Sequence, residues 1–111
     1  MASFERFDVV RVPFPFTDRQ AEKHRPALVI SDGVAFNRPA GHSVMAMITS
    51  MGHAAWPLDV PIADLKSAGL PAPSIVRFKL FTLDHRLVRG KLGRLSVRDR
   101  AMVQKAMRVL L

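Results

Sequence analysis

Three short stretches of the chain carry side chains able to hold a phosphate group. The first is Lys23-His24-Arg25-Pro26. Proline disfavours the helical conformation of the residue before it, so Pro26 biases Arg25 toward an extended backbone and fixes where its side chain departs. A guanidinium held there presents a planar fork that matches two phosphate oxygens. The same fork equally suits a carboxylate of the preceding polar stretch, Asp18 or Glu22. His24 adjoins that arginine, and imidazole is the side chain that exchanges protons near neutral pH. Successive strand residues point to opposite faces, however, so a solvated or packed His24 is the commoner outcome.

The second stretch is Thr49-Ser50. Its hydroxyls can donate to a phosphate oxygen or cap the turn before Gly52-His53, and capping is the more frequent use of such a pair. The third is Arg77, alone between Ile75-Val76 and Phe78. Its head either reaches a surface groove or extends to solvent along its aliphatic stem. There is no Ser-His-Asp order, glycine-rich phosphate loop or acidic cluster. His42, His53 and His85 lack the spacing of a zinc site, so neither metal nor cofactor is expected. Without cysteine there is no disulfide and no thiolate chemistry.

Charge points the same way as these residues. Seventeen Lys and Arg against nine Asp and Glu give a net charge of +8. A small domain so charged attracts polyanions and gains by releasing their counterions, which makes nucleic acid the first partner to consider and solubility the plain alternative. The 111 residues suit one domain over residues 1–111, with 49% apolar residues to fill its core. The first six residues show no secretory pattern, and no apolar run approaches the ~18 residues that span a bilayer. A soluble cytoplasmic protein with no membrane partner is expected.

The elements that must position these residues are mostly short strands. Residues 7–16, rich in Val and Phe, read as a strand whose Pro13 and Pro15 sit at an edge or an end. Residues 17–24 read as a polar loop. Arg25-Pro26 then opens a strand whose run Ala27-Leu28-Val29-Ile30 implies burial on both faces. A second loop is expected from Asp32-Gly33 to Gly41. Residues 43–49 alternate as a third strand and residues 56–62 as a fourth. Residues 63–70 suit a helical turn closed by Gly69. Pro71-Ala72-Pro73 forces an extended entry over residues 74–77, and residues 78–83 and 87–92 supply one or two further strands around the corner Asp84-His85-Arg86.

The last segment differs, with Val103, Ala106, Met107 and Leu110 at helical spacing. Ser96 is a good N-cap, Asp99 suits a variant capping box, and a helix over 97–111 should pack on the sheet. Consecutive strands with short connections indicate a mainly β fold, a small barrel or curved antiparallel sheet.

Asp8-Val9-Val10-Arg11-Val12-Pro13-Phe14-Pro15-Phe16, followed after a polar loop by Arg25-Pro26-Ala27-Leu28-Val29-Ile30-Ser31, resembles the opening of a PemK/MazF-family toxin. Ile48-Thr49-Ser50 is similar to the family's second motif. Ser74-Ile75-Val76-Arg77 with Thr82-Leu83-Asp84 is similar to the third, and Gly93-Arg94-Leu95-Ser96 matches before the final helix. The resemblance spans nearly the whole chain in order. It implies an SH3-like barrel of the CcdB/PemK type with a C-terminal helix, and usually a homodimer. It implies cofactor-free, metal-independent cleavage of single-stranded RNA or mRNA, leaving a 2′,3′-cyclic phosphate and a 5′-hydroxyl, and a cognate antitoxin as partner.

By the same resemblance Arg25 and Thr49 carry catalysis, and Arg77 and Ser50 contact RNA. Arg19-Gln20 occupies the stretch where other members carry a loop histidine and joins the RNA-binding set. Lys79 stands where some members carry an aspartate, and Met51 where a glutamine often follows the Thr-Ser pair. Arginine is a poor base, its pKa lying above ~12, which leaves His24 as the candidate for proton transfer. Two other functions fit the same fold: a non-enzymatic toxin resembling the gyrase poison CcdB, and an inactive nucleic-acid-binding SH3-like module.

Overall fold

The run Ala27-Leu28-Val29-Ile30 has no polar side because the sheet that contains it is covered on both faces. Leu28 and Ile30 join Val9, Ala46, Ile48, Val76 and Phe78 in one core, whereas Ala27 and Val29 join Val10, Val12, Met45 and Leu83 in a second. The alternation is that of a pleated strand, two residues per repeat. The computed structural model describes residues 3–14, 23–52 and 54–111. Arg19, Gln20, Asp18, Glu22 and His53 lie outside the described residues, as does most of the loop expected over 17–24.

Six strands form one antiparallel sheet in the order β4-β5-β3-β2-β1-β6, curled into a half-barrel. They are β1 (Asp8–Phe14), β2 (Lys23–Val29), β3 (His42–Ser50), β4 (Val60–Pro61), β5 (Ser74–Asp84) and β6 (Lys91–Arg94). β1 pairs with β2 on one side, Val12 opposite Arg25, and with β6 on the other, Asp8 opposite Arg94. The first and sixth strands are thus neighbours. β5 is one continuous strand of 11 residues with a bulge: Ala46 faces Leu80 but the next residue, Met47, faces Arg77. Such a bulge bends the strand and increases the local twist, which helps the sheet curl.

The final helix (Val97–Leu110) follows the short helices α1 (Arg38–Ala40) and α2 (Leu65–Ala68) and is labelled α3. Ser96 caps it, its Oγ accepting from the Asp99 N–H at 3.2 Å. Val103 and Ala106 enter the first core and Met107 packs against it, burial of each large apolar side chain contributing about 1.5–3 kcal/mol. The expected stripe ends early, for Leu110 is exposed. The expected capping box is also replaced. The buried Asp99 carboxylate accepts from the Ala63 N–H at 3.0 Å and the Asp64 N–H at 2.9 Å, tying α3 to the chain between β4 and α2. α2 ends at Gly69, in the left-handed region. It packs directly on β6, where a Cβ on Gly93 would lie 2.4 Å from the Ser67 carbonyl oxygen.

Three other expectations are corrected. The second strand begins at Lys23 rather than Arg25, because Phe14 and Pro13 continue to pair with Lys23 and His24. The loop expected after Asp32 is helical: turns over Gly33–Asn37 and Arg38–Ala40 start from Asp32, whose side chain accepts from the Ala35 N–H, and Asn37 anchors them by donating to the Phe4 carbonyl at 2.9 Å. The strand expected over 56–62 shrinks to Val60–Pro61. Pro57 offers no ladder N–H, Leu58 adopts a φ of 66°, and the Asp59 N–H closes a turn on the Trp56 carbonyl at 3.2 Å.

Candidate nucleic-acid interface

The ladder decides which sequence-selected side chains share a face. Ala27 of β2 lies opposite Met47 of β3, and Met47 lies opposite Arg77 of β5. One pleat further along, Arg25 is two residues from Ala27, and Thr49 is two from Met47 and opposite Ile75. Arg25, Thr49 and Arg77 therefore leave the sheet on one side, that of the second core and opposite α3. His24 and Ser50, one residue out of phase, leave it on the other side, and both are exposed. The sheet brings the first three together and does not add His24 or Ser50 to them. Arg19 and Gln20, outside the described residues, have no position relative to this group.

Arg25 is half-buried, and its guanidinium carbon lies 5.1 Å from the centre of the Phe14 ring. Phe14 is at the end of β1, beside the Val12–Arg25 pair, so the cation–π contact restrains the head just above the sheet. Among the described residues no carboxylate lies within salt-bridge distance of it. A guanidinium over an aromatic ring can still serve an anion with its N–H groups.

Arg77 takes neither course expected of it. Its Nε donates to Asp59 Oδ1 at 3.2 Å and its Nη2 to Oδ2 at 3.0 Å, a two-pronged ion pair in which the side chains are only 11% and 16% exposed. Nη2 also donates to the Ala54 carbonyl at 2.7 Å. The Asp59 carboxyl is held below the usual carboxylate range, first by the Arg77 hydrogen bonds and then by the Trp56 N–H, against the opposing effect of burial. Two residues along β5, Lys79 Nζ sits 4.5 Å from the centre of the Trp56 ring. Both cations of β5 thus hold the segment between β3 and β4. Asp59 and Trp56 escaped the sequence reading because an alternating strand was expected there; Trp-Pro-Leu-Asp, with proline and an Asx acceptor, was the available turn signal.

The described histidines beyond His24 lie elsewhere. His85 Nε2 is 2.7 Å from Ser43 Oγ and His42 Nδ1 is 2.9 Å from the Ala40 carbonyl, at the far end of β3, about 23 Å from Thr49 at the usual strand rise. Burial, followed by the charge of His42, pushes the His85 pKa down. A cavity of about 490 Å³ opens there, lined by Phe4, Arg38, His42, Asp84, His85 and Arg86.

Known proteins share this fold. The family model described as PemK-like, MazF-like toxin of type II toxin-antitoxin system matches residues 5–111. Among solved structures, MazE-MazF from Deinococcus radiodurans is 22% identical, with a TM-score of 0.73 over 99% of this chain and 96% of that one. An endoribonuclease in complex with its cognate antitoxin from a mycobacterial species is 16% identical, with a TM-score of 0.74 over 98% and 93%. Mycobacterium tuberculosis toxin MazF-mt6 is 20% identical, with a TM-score of 0.69 over 90% and 91%. No curated protein matches the chain.

Proposed function

The chain belongs to the PemK-like, MazF-like family of type II toxin–antitoxin toxins, and from that premise we propose that it is a metal-independent endoribonuclease acting on single-stranded RNA. The observation that carries the reading is the placement of Arg25 and Thr49 on one face of adjacent strands, with the guanidinium restrained over Phe14. Attack of a ribose 2′-hydroxyl on the adjacent phosphorus places extra negative charge on the phosphoryl oxygens. Donors fixed in advance stabilise that charge without reorganising. Arg25 serves the charged oxygens, and Thr49 orients a nonbridging oxygen by donating its hydroxyl proton. The 5′-oxygen leaves with a proton, giving a 2′,3′-cyclic phosphate and a 5′-hydroxyl.

His24, whose side chain leaves β2 on the face opposite Arg25, is the remaining candidate for moving the proton. Arg77, Ser50, Arg19 and Gln20 are the candidates for binding RNA. The net charge of +8 supports both an RNA substrate and an acidic antitoxin segment that competes with it. A homodimer working in the cytoplasm belongs to the same reading.

The test is incubation of purified protein with RNA in EDTA, followed by mapping of the ends. Fragments with 5′-hydroxyl and cyclic-phosphate ends are expected. Intact RNA together with gyrase inhibition would sink the ribonuclease reading in favour of a gyrase poison.

A further inference from the structure

Trp56 is a large apolar side chain outside both cores, with 41% of its surface exposed. The turn beneath it is locked on every side. The Trp56 N–H donates to Asp59 Oδ2 at 3.1 Å, the Asp59 N–H donates back to the Trp56 carbonyl, and the Arg77 fork grips the Asp59 carboxylate. Arg77 also holds the Ala54 carbonyl two residues upstream. Lys79 sits against the indole at 4.5 Å. Hydrogen bonds to the backbone on either side and a cation–π contact thus fix a ring that contributes nothing to the core.

We infer that Trp56 is a base-stacking residue, receiving one unpaired base of single-stranded RNA while the cations of the adjoining sheet face hold the backbone. Proteins that bind single strands pair a cationic track with aromatic platforms, because every base has a π-face and every nucleotide a charge. Arg25 and Lys79 lie on one side of the sheet and supply the track, while Arg77, paired with Asp59, holds the turn. A ring already held by a cation–π contact loses little freedom when the base arrives. Lys79 thereby becomes a positioning residue, holding the platform in place. The inference rests on the ribonuclease reading for its choice of RNA, and names a nucleotide subsite within it.

Trp56 is the one tryptophan of the chain, so its emission reports this position alone. The probe is a randomised, single-stranded 2′-O-methyl RNA, which lacks the attacking hydroxyl and stays intact. Titrated into the full chain, it should quench the emission saturably, whereas the same RNA annealed into duplex should not. Trp56→Leu should weaken binding of a fluorophore-labelled probe about tenfold with the melting temperature retained, and Trp56→Phe should fall between. Saturation followed by anisotropy with unchanged tryptophan emission overturns the stack, as does a Trp56→Leu chain that binds as tightly as the parent. Either result leaves RNA cleavage by the parent chain standing. Conversely, quenching by the probe without cleavage of ordinary RNA supports the stack and overturns the ribonuclease reading.

Discussion

Asp59 grips Arg77 by both carboxylate oxygens, and in doing so fastens the β3–β4 segment to β5. Asp59→Asn removes the charge and one acceptor while keeping the size. Because the folded-state pKa of Asp59 is lowered, its contribution is present above the unfolded carboxyl pKa, about 3.9, and is lost as pH falls through the lower folded value. The parent should therefore melt higher than Asp59→Asn at neutral pH, and the two curves should converge in acid. A difference that persists unchanged to the lowest measurable pH would show that the carboxylate charge is irrelevant.

Arg25→Ala and Thr49→Ala should each lower cleavage by about 10²- to 10³-fold, the usual effect of losing one preorganised donor to transition-state charge. Arg25→Lys should recover little, since an ammonium is a point charge and not a planar fork. Single-turnover rates on an RNA of mapped sequence, with melting temperatures alongside, measure this. A full rate in either alanine variant removes that residue from catalysis.

Asp99→Ala leaves the Ala63 and Asp64 N–H groups without their buried acceptor. Charge-assisted hydrogen bonds of this kind are worth roughly 1.5–3 kcal/mol each, and a loss of about 3 kcal/mol is expected in urea unfolding. Asp99→Asn, which keeps one good acceptor, should lose less. Equal, small losses in both variants would mean that water replaces the carboxylate freely.

His85 gives a pH signature of the same sign as Asp59, in a higher pH window. Its folded pKa lies below the unfolded value, so between the two the unfolded chain binds more protons and stability falls as pH drops through the ordinary histidine range. Replacing it by glutamine should flatten that part of the stability–pH curve. An unchanged slope would assign it to another group.

Much of this arrangement was legible in residue types. The double-faced burial of Ala27-Leu28-Val29-Ile30, the alternation of β3, the Gly69 stop and the Ser96 cap all follow from local rules. The shared face of Arg25, Thr49 and Arg77 was not, because it depends on the Ala27–Met47–Arg77 rung and on the bulge in β5, which no local pattern announces. Asp99 was misread for a similar reason: its partners lie 35 and 36 residues away in sequence, and an acid in a first helical turn looks like a cap until those partners are known. The Trp56 turn defeated the alternation rule because Leu58-Val60-Ile62 mimics a strand although Pro57 and the positive φ of Leu58 forbid one.

The pairing of β1 with β6 also sets when the molecule can exist. Synthesis proceeds from the N-terminus, so Asp8 waits for Arg94, and Val9 for Gly93, until β6 has left the ribosome. The strand ending in Phe14, on which the Arg25 head rests, keeps one edge open through that interval. The sheet beside Arg25 is therefore completed by a strand from the far side of the chain, late in assembly and after the β1–β2 hairpin that carries the arginine.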